Sequence, residues 1–248
     1  MKRTGVAMDL VCIIPARGGS KGVPGKNLRQ VDGQTLVARA TKVAIESNVF
    51  KRIHISTDSE EIQAEALRCG GSCEFLRPAE ISGDSLGTGS AILHSLEEFK
   101  RIGERFDGVI ELQPTYVFRR VETVRLVADS LKRHETAVTI KRIEGTEHPD
   151  FACTRSVDGK IRYGRKRPDQ FARQETRDFY AVLGIALGAS YNHYMNQNTF
   201  FSEGSKGIII NNGIELFDIN SELDLEIAEI ISSRNYGEAH GFKNPPLA

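Results

Sequence analysis

A glycine-rich segment near the N-terminus holds the residues best suited to chemistry. Residues 15–27 read Pro-Ala-Arg-Gly-Gly-Ser-Lys-Gly-Val-Pro-Gly-Lys-Asn, which places Arg17, Lys21 and Lys26 among glycines. Glycine lets the backbone approach a ligand closely and aim N–H groups at it. Arginine and lysine neutralise phosphate charge, and arginine does so through two parallel hydrogen bonds. The segment therefore predicts a nucleoside triphosphate site, and a surface turn with solvated charges is the alternative.

Two familiar nucleotide loops do not match this segment. The P-loop requires Ser or Thr after Gly-Lys, but Asn27 follows Gly25-Lys26, and Ser20 stands five residues before Gly25. The dinucleotide pattern G-x-G-x-x-G is also absent from the sequence. A phosphate-binding loop of another type is expected.

Alternating strands and helices are predicted before and after the glycine-rich segment. Apolar runs predict strands at residues 10–16, 52–56, 72–76, 108–112, 136–141, 182–187 and 207–211. Apolar residues three or four positions apart predict helices at residues 34–47, 58–70, 88–100, 121–131 and 221–233. The run Asp58-Ser-Glu-Glu61 predicts a capping box for the second of these helices. This order predicts an α/β fold with a mostly parallel sheet flanked by helices and ligands at the carboxyl ends of its strands.

One stretch interrupts the alternation. Residues 145–176 are polar and basic, with turn signals at Val157-Asp-Gly159 and Arg167-Pro168. We interpret them as an arm that covers a site or meets a second subunit. The length of 248 residues fits a single domain, residues 1–248, that carries this arm.

Composition excludes several classes of function. Lys+Arg and Asp+Glu both number 33, and this zero net charge argues against a nucleic-acid binder. No apolar run approaches the roughly 18–20 residues that a membrane helix needs, and no signal peptide is recognisable, so a cytoplasmic protein is expected. The 4 cysteines form no C-x-x-C pair and the 6 histidines are scattered, which argues against a zinc site.

The glycine-rich segment resembles the signature of the acylneuraminate cytidylyltransferase family, the CMP-sialic acid synthetases. The likeness continues, in the family's order, with Ile55-Ser-Thr-Asp-Ser-Glu60, Leu76-Arg-Pro-Ala-Glu80, Leu112-Gln-Pro-Thr115 and Phe217-Asp-Ile-Asn-Ser-Glu-Leu-Asp224. The resemblance implies a Rossmann-like nucleotidyltransferase fold, a homodimer with an exchanged arm, and dependence on Mg²⁺. It also implies transfer of CMP from CTP to a 2-keto sugar acid, a small acidic acceptor, with release of pyrophosphate.

The resemblance assigns roles to matching positions. The nucleotide-binding residues that it implies are Ala16, Arg17, Gly18, Ser20, Lys26, Asn27, Arg77 and Thr88. The catalytic residues that it implies are Arg17, Lys21 and Gln113, with Lys21 as our first choice for stabilising the α-phosphate. The acceptor-binding residues that it implies are Gln113, Arg173 and Gln174.

Simpler roles compete with three of these assignments. Arg77 is alternatively a solvated cation at a strand end, and Gln113 a packed glutamine. Thr88 stands where its helix needs an N-cap, and both roles are compatible. No histidine stands in a context that compels its assignment as a general base.

The metal site departs from the family. At Asp218 and Asn220 the family has Asp-x-Asp and holds Mg²⁺. Asparagine ligates through its carbonyl oxygen but brings no negative charge, so the affinity or geometry for metal is expected to differ. Ser221 and Asp224 are predicted to cap the last helix rather than to bind a ligand.

Further departures cluster on the acceptor side. Tyr116-Val-Phe-Arg119 replaces the family's Ser-Pro-Leu-Arg, Phe151 replaces a lysine, and Leu183-Gly184 replaces Asn-Gly. Because the nucleotide motifs are kept, we expect CTP with an acceptor other than N-acetylneuraminate. Another nonulosonate, an octulosonate or a non-sugar acid such as a phosphonate are the candidates. A nucleotide-binding paralogue without catalysis is the alternative from another class.

Overall fold

The computed structural model describes residues 8–20, 22–83, 87–164 and 178–233 of the chain. Its main sheet contains six strands: β1 Leu10–Pro15, β4 Phe50–Ser56, β5 Gly108–Glu111, β6 Thr136–Arg142, β9 Tyr180–Ser190 and β10 Lys206–Ile209. Their order across the sheet is β10-β6-β9-β5-β1-β4. All neighbours pair in parallel except β9, which runs antiparallel to β5 and β6. The predicted mostly parallel α/β fold is confirmed.

Six α-helices accompany the sheet in the part of the chain that the structure describes. They are α1 Leu36–Ser47, α2 Glu60–Arg68, α3 Gly89–Arg101, α4 Val121–Leu131, α5 Tyr191–Gln197 and α6 Glu222–Ser233. In α1, Val37, Ala40 and Ala44 lie on one face and are buried in the core, which is the spacing that predicted the helix. No helix in the described part of the chain is long and apolar enough to cross a membrane.

Short elements lie outside the main sheet. Two antiparallel pairs are β2 Gln30–Val31 with β3 Gln34–Thr35, and β7 Cys153–Arg155 with β8 Ile161–Tyr163. Four 3₁₀ turns are Lys26–Leu28, Ala79–Ile81, Gly145–Glu147 and Pro149–Phe151. The described part of the expected arm is therefore two turns and a hairpin, and residues 165–177 lie outside the described residues.

Two predictions of secondary structure are wrong. Residues 72–76 form only a single bridge, from Ser72 to His54, because the side chain of Gln63 takes the next carbonyl, that of Cys73. Helix α5 was not predicted. It begins at Ser190, whose hydroxyl accepts the His193 N–H, in a stretch with few apolar residues.

The core lies on both faces of the central strands. Alternating residues of β1 point to opposite sides, so Cys12 and Ile14 pack with α1 and α4, while Val11 and Ile13 pack with α3. All four side chains are fully buried. This rigid centre fixes the carboxyl ends of β1, β4 and β5, where the segments with polar side chains emerge.

Candidate active site

The glycine-rich segment leaves β1 and is held against the end of β4. The Ala16 N–H donates to the Ser56 carbonyl at 2.9 Å, and the Gly18 N–H donates to the Asp58 carboxylate at 2.8 Å. A Cβ on Gly18 would lie 3.1 Å from Cβ of Ser59, so a side chain here would force the two segments apart. The path of the segment is thus set by backbone contacts with its neighbour.

This contact corrects the predicted capping box of α2. Ser59, not Asp58, caps the helix, since its Oγ accepts the Ile62 N–H at 3.4 Å. The Asp58 carboxylate is engaged by Gly18 instead. A residue that the sequence assigned to helix capping therefore positions the glycine-rich segment.

The segment closes on itself through Asn27. Its buried amide nitrogen donates to the Arg17 carbonyl at 2.9 Å and draws the two ends of the segment together. The turn between them starts at Gly25, whose φ of 61° lies in the left-handed region that favours glycine. Closure of this kind turns Arg17 and Lys26 toward the same space.

The acidic segment that precedes α6 packs directly on the glycine-rich segment. Lys26 Nζ donates to the Ile219 carbonyl at 3.1 Å. A Cβ on Gly22 would lie 2.3 Å from the carbonyl oxygen of Asn220, a clash that only glycine avoids at this approach. The two segments of opposite charge, distant in sequence, thus form one wall.

Electrostatics around Lys26 reflect this packing. Burial lowers the pKa of Lys26, the Asp218 carboxylate opposes that shift, and the Arg17 guanidinium adds to it. A half-buried ammonium between another cation and a carboxylate gains from any added negative charge. The wall is therefore suited to an anion with several charges.

Asp218 has one oxygen available for a cation. Its Oδ2 accepts the Asn220 side-chain amide at 3.0 Å, while its buried Oδ1 has no hydrogen-bond partner among the described residues. Asp224 is occupied, because its Oδ2 accepts both the backbone N–H and the hydroxyl of Ser221 at 2.8 Å. The predicted Ser221–Asp224 capping pair is thereby confirmed, and Asp218 is left as the carboxylate that fits a hard cation.

Arg77 is buried without full compensation. Only 6% of it is exposed, and Nε and Nη2 have no hydrogen-bond partner within the described part of the chain. Burial lowers the pKa of this guanidinium, the Asp58 carboxylate raises it, and Arg17 lowers it further. The alternative of a solvated cation at a strand end is wrong. A buried cation with unused donors favours a ligand that supplies acceptors.

One cleft of about 220 Å³ collects these side chains at the carboxyl ends of the strands. The expected site residues that line it are Arg17, Ser20, Lys26, Asn27, Arg77, Thr88 and Gln113. The backbone carboxyl ends of β1 and β5 form its floor through Pro15 and Pro114. The fold thus brings positions scattered over a hundred residues of sequence into one depression.

At the far end of the cleft, a buried carboxylate joins two expected site residues. Thr88 Oγ1 donates to one oxygen of Glu111, and Gln113 Nε2 donates to the other, each at 3.1 Å. Only 1% of Glu111 is exposed, and burial raises its pKa. Thr88 holds the N-cap position of α3, but its backbone is already helical and its side chain makes no capping bond; the hydroxyl donates to Glu111.

Gln113 is held from its other sides as well. The guanidinium of Arg119, fully buried and with its pKa lowered by that burial to about 10, donates to the carbonyls of Gln113 and Ile185. The Gln113 side chain lies flat over Gly184, where a Cβ would come within 2.1 Å of Oε1. Backbone and side chain of Gln113 are therefore fixed by separate contacts.

The chain also matches a known protein family. A family model described as Cytidylyltransferase matches residues 11–202 of the chain. The chain belongs to the cytidylyltransferase family. It is a CTP-dependent nucleotidyltransferase, with the Rossmann-like fold that the sequence resemblance implied.

Individual relatives cover most of this cytidylyltransferase. It is 29% identical to the CMP-N,N'-diacetyllegionaminic acid synthase of Legionella pneumophila over 92% of this chain and 98% of that protein. It is 27% identical to the N-acylneuraminate cytidylyltransferase of Escherichia coli over 91% of this chain and 52% of that longer protein. A solved structure of a CMP:2-keto-3-deoxy-manno-octonic acid synthetase complexed with CTP has the same fold, with a TM-score of 0.66, 14% identity, and coverage of 92% and 99%.

Several expected residues of the cytidylyltransferase lie elsewhere or outside the described residues. Lys21, Arg173 and Gln174 belong to the residues that the structure does not describe. Ala16 is fully buried in the core, and neither it nor Gly18 lines the cleft. Asp218 and Asn220 do not line it either; they lie in the segment that packs on the glycine-rich segment.

Two functional candidates were missed from the sequence. Glu111 stands alone as a charge within the apolar run of residues 108–112, a signal that was readable. Arg119 was named only as part of a departing motif, and no local pattern marked it as a partner of Gln113.

The residues that differ from the family's acceptor-side motifs are either buried in the core or partly exposed. Leu183 and Tyr116 are buried in the core cluster, so Leu183 fills space rather than reaching into the cleft. Phe151 is partly exposed and lies in the 3₁₀ turn next to His148, whose ring it contacts. Phe118 and Gly184, in the other two departing motifs, are also partly exposed, so each of the three departures keeps some accessible surface.

Proposed function

We propose that this cytidylyltransferase transfers CMP from CTP to a 2-keto sugar acid of the nonulosonate class and releases pyrophosphate. The observation that carries the proposal is the cleft itself, where the cationic segment, the unsatisfied guanidinium of Arg77 and the fixed amide of Gln113 face one space. The names of the relatives support the acceptor class, since legionaminic and acylneuraminic acids are both nonulosonates.

The nucleotide occupies the end of the cleft built by the glycine-rich segment. Arg17 and Lys26 neutralise its phosphates, and Ser20 and Asn27 line the same wall. Lys21, by resemblance, stabilises charge on the α-phosphate as it is attacked, and loss of one such donor typically costs ~3 kcal/mol of barrier. Arg77 and Thr88 face the base and ribose, where fixed polar groups reject a base that leaves them unpaired.

Mg²⁺ is the metal that the family resemblance implies, and when bound it neutralises the phosphates between which the bond breaks. Asp218 would hold it through Oδ1, the buried oxygen without a partner among the described residues. The amide of Asn220 supports the carboxylate through Oδ2. No group of three or more His, Cys, Asp or Glu in the described ranges is arranged to hold a metal, so Asp218 would be the main protein ligand.

The acceptor lies at the Gln113 end. Its hydroxyl attacks the α-phosphate in line, and pyrophosphate leaves toward the cationic segment. Gln113 orients the acceptor, and Arg173 and Gln174 of the arm, by resemblance, contact it. We propose that the chain forms a single domain whose arm reaches a second copy in a homodimer.

The preferred acceptor is a nonulosonate other than N-acetylneuraminate. Phe151 stands where the family has a lysine, and an aromatic ring cannot pair with an anionic or hydroxylated substituent as an ammonium does. The relative at 29% identity, named for N,N'-diacetyllegionaminic acid, supports the same choice.

An assay of pyrophosphate release tests the proposal. The full chain is incubated with CTP, Mg²⁺ and a panel that contains diacetyllegionaminate, pseudaminate, N-acetylneuraminate, a 3-deoxy-octulosonate and a phosphonate. We expect the highest kcat/KM with a nonulosonate other than N-acetylneuraminate, and no turnover when UTP or ATP replaces CTP. Preference for N-acetylneuraminate, the octulosonate or the phosphonate would overturn the acceptor assignment. A thermal shift with CTP but no pyrophosphate with any acceptor would identify a non-catalytic nucleotide binder.

A further inference from the structure

The carboxylate of Glu111 is buried at the centre of the sheet, beside apolar residues of the neighbouring strands. Its cross-strand partners are Ile13 and Leu187, which share its face of the sheet, and Ile110 and Leu112, next to it in sequence, are buried on the opposite face. Moving a carboxylate from water into such a place costs several kcal/mol, and a leucine of similar volume would be cheaper. A costly charge at the centre of a sheet points to a role that an apolar side chain cannot fill.

Both oxygens of this carboxylate are engaged by residues that line the cleft. Oε2 accepts the hydroxyl of Thr88, which begins α3, and Oε1 accepts the amide of Gln113, which follows β5. Thr88 and Gln113 belong to different elements and lie 25 positions apart in sequence, and no direct hydrogen bond between them is present in the described structure. Glu111 is thus the physical link between the nucleotide end and the acceptor end.

The contact also sets the polarity that both residues present to a ligand. Thr88 and Gln113 each donate a hydrogen to Glu111, so the lone pairs on Thr88 Oγ1 and Gln113 Oε1 remain for a bound molecule. The amide cannot rotate by half a turn without placing its carbonyl against the carboxylate. One buried group therefore fixes the orientation of two binding groups.

We propose that Glu111 is a positioning residue that holds Thr88 and Gln113 in register, so that base binding and acceptor binding depend on one another. This inference rests on the proposed function for the acceptor half, while the half that concerns CTP depends only on nucleotide binding. Arg119 assists from the opposite side by binding the Gln113 carbonyl, and its charge lies close enough to stabilise the Glu111 carboxylate.

Two substitutions distinguish a positioning role of the Glu111 carboxylate from the effect of its side-chain volume. Glu111→Leu keeps the volume and leaves both donors without an acceptor, whereas Glu111→Gln keeps an oxygen for Gln113 and an amide that Thr88 can accept from. The loss of a net hydrogen bond is worth about 0.5–1.5 kcal/mol, so Glu111→Leu should weaken CTP binding and raise the acceptor KM by about 3–10-fold each. Glu111→Gln should restore most of the acceptor KM, because its oxygen still accepts from Gln113, but little of the CTP affinity, because its amide makes Thr88 an acceptor.

A double-mutant cycle tests whether Glu111 acts through its partners. The dissociation constant of CTP is measured by calorimetry for the parent, Thr88→Val, Glu111→Leu and the pair. The acceptor KM is measured for Gln113→Leu, Glu111→Leu and their pair. We expect each pair to lose no more than its worse single variant, because residues in one network do not add. Additive losses would overturn the proposal.

Ile110→Ala provides the matched structural control on the same strand. It lowers the melting temperature by opening the core but should leave the CTP dissociation constant and the acceptor KM unchanged. If Glu111→Leu behaves like Ile110→Ala, with lower stability and unchanged binding, Glu111 has only a structural role. If the parent binds CTP but releases no pyrophosphate, the proposed function fails, yet the calorimetric cycle with Thr88 still decides the positioning role.

Discussion

The two ends of the cleft satisfy their polar groups differently. At the end that we propose for the nucleotide, Arg77 keeps two buried guanidinium nitrogens without a partner among the described residues, and one buried oxygen of Asp218, in the segment packed on the glycine-rich segment, likewise lacks one. At the acceptor end, Gln113 is bound through its amide nitrogen by Glu111 and through its carbonyl by Arg119. Polar groups at the first end lack hydrogen-bond partners in the part of the chain that the structure describes, and a ligand could supply them, whereas Gln113 at the other end already has partners within the protein.

This difference matches the chemistry of the two ligands. A triphosphate and its counter-ion bring strong charges, which can offset the cost of keeping an ionised group buried and unpaired. A sugar acid is recognised through hydroxyls, whose weaker hydrogen bonds reward groups that are already oriented. We therefore expect substitutions at the nucleotide end to change affinity with little loss of stability, and those at the acceptor end to change geometry.

The largest expected effect is at Asp218. Asp218→Asn removes the negative charge beside Lys26 that we propose for Mg²⁺ binding, and removal of one preorganised electrostatic group typically costs on the order of 100-fold in kcat. The melting temperature should change little, since Oδ1 has no protein partner within the described structure to lose. Pyrophosphate release at a series of Mg²⁺ concentrations measures the effect.

Asp224→Asn is the matched control six residues away. It weakens the cap of α6 and should cost ~1 kcal/mol of stability while leaving kcat close to that of the parent. Equal losses of activity in the two variants would show that the acidic segment acts only through its fold.

Arg77→Met should give the second-largest effect. The guanidinium donates to no described residue through Nε or Nη2, so its removal relieves an uncompensated buried charge. We expect CTP affinity to fall about 10–100-fold, the usual range for hydrogen bonds to charged groups, with an unchanged or higher melting temperature. Arg101→Met, at an exposed arginine paired with Glu98 on α3, should change neither quantity. Lower stability with unchanged CTP affinity would assign Arg77 to the fold.

Gly184→Ala tests the acceptor end. Its new Cβ would lie 2.1 Å from Oε1 of Gln113 and must displace that side chain from its place. We expect kcat/KM for the acceptor to fall roughly 10-fold, in line with the loss that follows a misplaced orienting group, while CTP affinity stays the same. Gly188→Ala on the same strand pushes instead against Val127 in the core, and should reduce stability without changing the acceptor KM.

The fold and the nucleotide end were readable because their signals are local. The spacing of apolar residues predicted β1, α1 and α4 within a few residues of their observed bounds. The glycine-rich segment indicated phosphate binding because its glycines and cations lie within thirteen consecutive positions. The sequence also showed a basic stretch near residue 17 and an acidic stretch near residue 218, which contribute opposite charges to the net charge of zero. The sequence did not show that the two pack together at Gly22 and Asn220.

The acceptor end was not readable because its contacts are long-range. Gln113 depends on Gly184 and Arg119, and a register between β5 and β9 is needed before either can be recognised as its neighbour. The antiparallel direction of β9 has no local signature either, because a buried strand reads alike in both directions. Thr88 illustrates the same limit, since its capping position was apparent but the carboxylate that takes its hydroxyl was not.

The smallest expected effect on activity comes from a paired carboxylate far from the cleft. Glu74 accepts from Arg52 at 2.9 Å and contacts the buried ring of His54 at 3.0 Å. Burial alone would raise the pKa of Glu74, but the hydrogen bond with His54, its own backbone and Ser72 hold it at about 2. Because the pKa in the folded state is below the ordinary 4.5, the stabilisation is present above pH 4.5 and is lost as the pH falls toward 2.

Glu74→Gln should therefore cost roughly 1 kcal/mol near neutral pH, after allowance for solvent screening at this partly exposed side chain. Its free energy of unfolding should converge with that of the parent between pH 4.5 and 2. Glu226→Gln, at an exposed position of α6, is the control and should leave the stability at neutral pH close to that of the parent. Pyrophosphate release at neutral pH should be unchanged in both. A loss of turnover in Glu74→Gln would mean that paired polar groups outside the cleft also shape the site, and the contrast between its two ends would then be one of degree.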